Sequence, residues 1–300
     1  MGISISVTLA GLSRLYPDGL QGILETGRVA EEVGIGQIAV TDHVVIGTRT
    51  DEYPYGSFPF PNEEPWPEPL IVLAAIAGAT RRLRLATGIL IAPLRPAALL
   101  AKTLATLDVM SGGRVDIGVG TGWQSEEYDA AGVPFRGRAS RMDDTLRACR
   151  ALWTQAPASF ESDSVTFKDL WSFPRPVEPA GIPLWLGLAL TDRNLTRFTE
   201  FDAGWMPMTS DPAELADGIH TLRRSRVEAG LDPDMLQVRA NAPVVSDQKG
   251  HPDLDRTLDG LGALAEIGVT QAAFALPRFV RRAADIPAFL ETLGQRARQL

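Results

Sequence analysis

Residues Leu83-Arg84-Leu85-Ala86-Thr87-Gly88-Ile89-Leu90 are followed by Leu100, Leu104, Leu107 and Met110, then by Ser111-Gly112-Gly113, then by Val115-Asp116-Ile117-Gly118-Val119. The first run is short, apolar and rich in branched side chains, as a strand buried on both faces reads. The middle series repeats every three or four residues, the spacing of one helix face, and paired glycines end it. The last run is a strand again. A helix between two such strands is a crossover, so the strands lie parallel.

The same alternation extends in both directions. Toward the N-terminus stand a strand over 3–9, a helix face of Leu20, Ile23, Leu24, Ala30 and Val33 closed by Gly34, a strand over 37–41, and a helix from Pro69. A long loop over 44–67 separates the last two. Toward the C-terminus a helix over 141–153 is followed by an irregular segment to 181, a strand over 184–187 and a helix over 192–201. Then come a strand over 204–208, a helix opened by Asp211-Pro212, a strand over 236–245, and a helix carrying Leu254, Leu258, Leu261, Leu264 and Ile267. A strand over 271–276 and a helix over 286–298 complete the chain. Eight strand–helix pairs close a (β/α)8 TIM barrel, the expected α/β fold, with an open doubly wound sheet as the other architecture that alternation permits. The long loop over 44–67 leaves the second strand at the C-terminal mouth, where barrel active sites are built.

A chain of 300 residues accommodates one such domain over 1–300. With 45% hydrophobic and 22% charged residues it reads as globular, and a net charge of -8 without basic runs excludes a nucleic-acid binder. No apolar run is long enough for a membrane span, and the start lacks the pattern of a signal peptide. Gly2 to Ser6 formally fits a myristoylation site, but the alternation there reads better as the first strand. The lone Cys149 sits at helical spacing with Met142, Leu146 and Leu152, a core position rather than a nucleophile. A reducing, cytoplasmic setting is expected.

Asp42-His43 directly follows the second strand and offers a carboxylate and an imidazole for proton transfer or for holding a polar heterocycle, or else a loop cap with no ligand. Thr87-Gly88-Ile89 ends the third strand, where glycine marks a bulge or a close backbone approach. Gly118-Val119-Gly120-Thr121-Gly122-Trp123 ends the fourth; Trp123 stands where a dinucleotide fingerprint needs its third glycine, so that reading fails. What remains is a stretch of backbone with few side chains, open to a flat ring or a phosphate. Trp123 is either a stacking face or a lid residue, and Glu126 and Glu127 follow it. His43, His220 and His251 are too scattered for a metal site. Tyr53-Pro54-Tyr55-Gly56-Ser57-Phe58-Pro59-Phe60-Pro61 with Trp66-Pro67 is a stiff apolar segment for a substrate pocket, a mouth cover or a dimer contact.

In order along the chain, Thr41-Asp42-His43-Val44, Phe58-Pro59-Phe60-Pro61, Pro65 to Pro69, Thr87-Gly88-Ile89-Leu90, Ala101 to Asp108, Ser111 to Arg114 and Gly118 to Trp123 with Glu126-Glu127 resemble the luciferase-like monooxygenase superfamily. Within it they resemble the coenzyme F420-dependent oxidoreductases. That resemblance implies Asp42 and His43 beside the cofactor ring, a non-proline cis peptide at Gly88-Ile89 backing it, and Gly120-Thr121-Gly122-Trp123 along the ring and ribityl portion. After the fifth strand the family usually reads two glycines and a serine to hold the tail; here Gly187 is followed by Leu188, with Thr191 and Arg193 the candidates to compensate. Met208 to Asp211 supplies an acid instead of a lysine-rich phosphate site, so glucose 6-phosphate is not the expected substrate.

The function expected is hydride transfer between F420 and a small organic substrate, with His43 as proton partner and Asp42 orienting. The alternatives are a reduced-FMN-dependent monooxygenase and a non-catalytic flavin-binding protein. Relatives of this kind are commonly dimers, so a homodimer is expected.

Overall fold

The computed structural model describes residues 2–17 and 19–299. Its strands are β1 (Ser4–Leu9), β2 (Gln37–Val40), β3 (Arg84–Ile91), β4 (Val115–Gly120), β5 (Ala158–Glu161), β6 (Thr166–Leu170), β7 (Leu184–Leu186), β8 (Gly204–Trp205), β9 (Arg239–Asn241) and β10 (Gln271–Ala275). Eight of them form one parallel sheet in the order β8-β7-β4-β3-β2-β1-β10-β9. The two ends meet through a parallel bridge between Trp205 and Val238, and the Trp205 N–H donates to the Gln237 carbonyl at 2.9 Å. The sheet therefore curls back on itself as a (β/α)8 barrel. An open doubly wound sheet has no such closure.

Side-chain alternation divides the strands between two environments. Ile5, Val7 and Leu9 of β1, Ile38 and Val40 of β2, and Val115, Ile117 and Val119 of β4 join the apolar layer under the helices. Each such burial contributes roughly 1.5–3 kcal/mol. The alternates are small or polar and turn to the barrel axis: Ser6 and Thr8 of β1 and Gln37 of β2 all bond there to Arg239 of β9. One layer below, Asp116 of β4 accepts from Gln37 at 2.7 Å and from Arg84 of β3 at 2.6 and 2.8 Å.

β3 and β4 sit too close for a side chain between them at one point. A Cβ on Gly118 would overlap the Thr87 carbonyl oxygen and stand 2.6 Å from Met206 Sδ. Backbone cannot yield as a flexible side chain does. Gly118→Ala is therefore expected to destabilise the barrel by about 3 kcal/mol, the upper end of overpacking costs, read as a lower midpoint in urea unfolding.

Several boundaries differ from the sequence reading. The segment between the helix Arg138–Thr154 and β7 is not wholly irregular, because β5 and β6 pair there as an antiparallel hairpin. The seventh barrel strand pairs only over Arg239–Asn241 instead of 236–245; Pro243 has no N–H to continue the ladder. The fifth and sixth barrel strands, β7 and β8, are likewise shorter than expected. The helix read through Leu254 to Ile267 breaks at Gly260 into Leu254–Asp259 and Leu261–Glu266. Met110, read on an apolar helix face, is 73% exposed. Cys149 is fully buried, and burial pushes its thiol up to about 12, away from nucleophile chemistry. Among the described residues no helix is long and apolar enough to cross a membrane.

Candidate active site

At the C-terminal end of β2 the chain turns out of the barrel through Asp42 and His43. The two side chains part company. Asp42 is buried, and its Oδ2 accepts from the Ile91 N–H at 2.8 Å and from Arg95 Nη1 at 2.7 Å, while Oδ1 accepts from Arg95 Nη2 at 3.0 Å. Arg95 Nη2 also donates to Glu68 at 2.9 Å. Asp42 thus ties β2 to the end of β3; among the described residues it makes no hydrogen bond to His43.

The partner of His43 is Glu127, whose Oε2 lies 3.3 Å from Nδ1. Glu127 has no exposed surface, and its Oε1 accepts from the Val44 N–H at 2.6 Å. A carboxylate at Nδ1 keeps the proton on that nitrogen and leaves Nε2 as the free ring nitrogen. Glu127 stands on a helix, Ser125–Ala130, that the sequence reading missed because six residues are too few to show a period. Tyr128 on that helix anchors it by donating to the Thr121 carbonyl at 2.5 Å. The flanking side chains clip the loop after His43: Gln124 accepts from the Gly47 N–H at 2.7 Å, and Glu126 accepts from the N–H groups of Thr48 and Arg49. Those donors hold the Glu126 carboxyl below the usual carboxylate range, with the Arg49 N–H the largest cause.

Around His43 stands an aromatic wall. Trp66 meets its ring edge-on at 4.7 Å between centroids, and Phe58 and Trp123 do so at 6.1 Å. Tyr53 and Phe58 pack on Trp123, and Phe60 on Trp66. The aromatic-proline segment therefore stands at the barrel mouth against His43. Trp66 Nε1 and Gln124 Nε2 are buried there without a partner among the described residues.

The remaining predicted residues divide between the mouth and the sheet. The Gly88–Ile89 peptide bond is cis, and the β3–β4 register shifts between Thr87 and Leu90. The Ile89 side chain lies against Gly120 and Gly187, so that a Cβ on either glycine would stand 2.9 or 2.8 Å from it. These two glycines make room for Ile89, and with it for the bulge. Gly122 has φ +63°, where other residues are strained, and its carbonyl accepts from Arg138 Nε at 3.3 Å. Thr87 is buried in the sheet, its hydroxyl donating to the Gly118 carbonyl at 2.7 Å. Leu188 is half-buried against the main core, and its carbonyl accepts from Trp205 Nε1 at 3.2 Å. Thr191 caps the helix Asp192–Phe201, and Arg193 donates to Ser140 at 3.1 Å.

A closed parallel barrel, a bulged third strand over glycines of the fourth, and an Asp-His pair leaving the second form one constellation. The family described as luciferase-like monooxygenase matches over residues 1–253. The chain belongs to that family. An uncharacterised protein of Mycobacterium tuberculosis is 33% identical over 275 residues, which cover 89% of this chain and 90% of the relative. Two solved structures share the luciferase-like fold. The coenzyme F420-dependent tetrahydromethanopterin reductase from Methanopyrus kandleri superposes with a TM-score of 0.75 at 20% identity, covering 99% of this chain and 98% of its own. A type II Baeyer–Villiger monooxygenase of Pseudomonas putida in complex with FMN superposes with a TM-score of 0.75 at 15% identity, covering 98% and 96%. The fold thus serves both deazaflavin- and flavin-dependent oxidoreductases.

The roles of Glu127, Arg95 and Glu68 were not legible in the sequence. Glu127 lies 84 positions from His43, and Arg95 lies 53 positions from Asp42. Nothing in the local pattern announces such pairs.

A cavity of about 360 Å3 opens at the other end of the barrel, lined by Ser4, Arg84, Asp116, Trp185 and Gln271 among others. It lies where the strands begin, away from His43. Asp42, His43 and Trp123 stand at the opposite face.

Proposed function

We propose that this chain is an oxidoreductase that binds coenzyme F420 at the barrel mouth and transfers a hydride between it and a small organic substrate, with His43 as the proton partner. The observation that carries the reading is the His43 imidazole, held at Nδ1 by a fully buried carboxylate within an apolar wall, with no partner at Nε2 among the described residues. Adding a hydride to a carbonyl, or removing one from an alcohol, requires a proton to move in step, and a positioned imidazole suits that role near neutral pH.

The residues present suit the cofactor. The bulge at Gly88-Ile89, with the Ile89 side chain seated on Gly120 and Gly187, offers a surface to a flat ring. Arg138 beside Gly122, Arg141 with its Nε buried and without a partner among the described residues, and Arg193 suit an anionic tail. The bound ring supplies the hydride chemistry; the protein supplies geometry, exclusion of water and the proton. In this reading Glu127 fixes the His43 tautomer, and Asp42 acts through Arg95 and Ile91 rather than on the ring. Trp123, Phe58 and Trp66 pack around the His43 ring and give the substrate pocket an apolar wall.

A second reading, a reduced-FMN-dependent monooxygenase, draws on the fold shared with the FMN-bound enzyme. Fluorescence titration with oxidised and reduced F420 and with FMN separates the two. Micromolar binding of F420 and not FMN, with turnover independent of oxygen, is the expected result. Preference for FMN with oxygen consumption would transfer the chain to the second reading, and binding of neither would overturn both.

A further inference from the structure

The outside of the barrel carries an apolar surface that the hydride reading does not use. The helix Pro69–Ala79 reads Pro-Leu-Ile-Val-Leu-Ala-Ala-Ile-Ala-Gly-Ala, with no polar side chain at all. A helix that is apolar all round belongs in an interior. Yet Ile71, Ala74, Ala75 and Gly78 lie on its outward side and are exposed. The helix Ala97–Ser111 packs beside it and turns Leu99, Val109 and Met110 outward. The four most exposed large apolar side chains among the described residues are Met110, Ile71, Leu99 and Trp171, at 66% to 73%.

Trp171 belongs to a strap over residues 170–177 that lies along the helix Ala97–Ser111. The buried Asp108 Oδ2 accepts from the Val177 N–H at 2.8 Å, and Lys102 Nζ donates to the Phe173 carbonyl. Trp171, Phe173 and Val177 are exposed. The exposed and half-buried positions of the two helices and the strap number 19, close to the roughly 20–30 residues a side of a stable interface. Only Lys102, Thr103, Thr106 and Arg175 among them are polar, and none is acidic, in a chain of net charge -8. Lys102 is engaged by the Phe173 carbonyl, and Arg175 lies over the Phe173 ring at 5.4 Å. The neighbouring helix Gly22–Val33 has the ordinary solvated face, with Glu25, Arg28 and Glu32 outward.

We propose that this surface joins two copies of the chain about a twofold axis. A broad apolar patch, here edged by Asp169 and Glu178, marks a protein interface. Charge identifies the occupant. A basic partner would find nothing on the patch to pair with, and an acidic one only Lys102 and Arg175, both already engaged. What complements the patch is another neutral apolar face, and the chain itself supplies one. Two acidic copies repel across the rest of their surfaces, and the acid-free face is where they meet without opposing carboxylates. A twofold contact sets the same patch against itself. Ala74, Ala75 and Gly78 let the helix Pro69–Ala79 approach its copy closely. The assignment is independent of the ring at the barrel mouth.

The test is sedimentation velocity of the full chain at micromolar concentrations, for the wild type, Ile71→Glu and Met110→Glu. Val227→Glu, at an exposed position of the helix Pro212–Glu228 outside the patch, is the control. The wild type should sediment as a dimer, at twice 32.4 kDa. Ile71→Glu and Met110→Glu should each raise its dissociation constant at least about a hundredfold, because both copies then bring a like charge into the contact. Val227→Glu should leave the constant within about twofold. Should a glutamate variant not fold by circular dichroism, Leu99→Gln decides, since it trims apolar area without adding charge: a weakening of about tenfold supports the proposal and an unchanged constant overturns it. A wild type that stays monomeric overturns the proposal, and its flotation with phosphatidylcholine vesicles would give the surface to a membrane instead. A dimer that both glutamate variants leave intact, or that Val227→Glu disrupts equally, overturns it as well.

Discussion

Replacing His43 with alanine should lower turnover by about 10²–10⁴-fold while the ring still binds, because general acid–base catalysis by one positioned group is worth that much. The side chain is largely covered by Trp66, Phe58 and Trp123, so its loss opens space at the mouth without removing a strut of the barrel. Unfolding should move less than in Asp42→Ala, because the buried Glu127 carboxylate keeps the Val44 N–H. Glu127→Gln is the discriminating companion. The amide keeps an acceptor for the Val44 N–H and for Nδ1–H but loses the charge that holds the proton on Nδ1. It should cost about tenfold in kcat and shift the pH at which the rate falls, with KM nearly unchanged. Steady-state kinetics across pH with the preferred ring checks both variants. If His43→Ala turned over at the wild-type rate, the imidazole would have no place in the reaction.

The second large effect falls on stability. Asp42→Ala should destabilise the fold by about 3–5 kcal/mol, the usual result of removing one partner of a buried ion pair. Its carboxylate has 1% exposure and that of the Arg95 side chain is 15%, so water replaces little of what is lost. Arg95 would keep only the half-exposed Glu68, and the Ile91 N–H would lose its acceptor. That second loss reaches the site, since Ile91 closes the strand carrying the Gly88-Ile89 bulge. Asp42→Asn keeps an acceptor and should lose less. Urea denaturation measures the difference; a loss below about 1 kcal/mol for Asp42→Ala would show that the pair contributes no more than a surface salt bridge.

These expectations divide the Asp42-His43 pair in a way adjacency in sequence does not. Consecutive residues leaving a strand point to opposite sides, so one faces the end of β3 and the other the helix after β4. Reading Asp42 as the orienter of His43 assumed that neighbours in sequence are partners in space. The structure gives that position to Glu127. The glycines of the fourth strand were read as open ground for a ligand; two neighbours on the β3 side, the Thr87 carbonyl and Ile89, take up the room at Gly118 and Gly120.

The sequence by itself determined the class of fold, the order of the barrel units and the end of the barrel where chemistry belongs. Apolar periodicity and helix stop signals are local properties, and eight repeats of them admit few closures. Tertiary structure alone decided which carboxylate serves His43, what Asp42 holds, and which side chains share the barrel axis with Arg239. Each of those depends on register and approach between strands far apart in the chain, which no local pattern encodes.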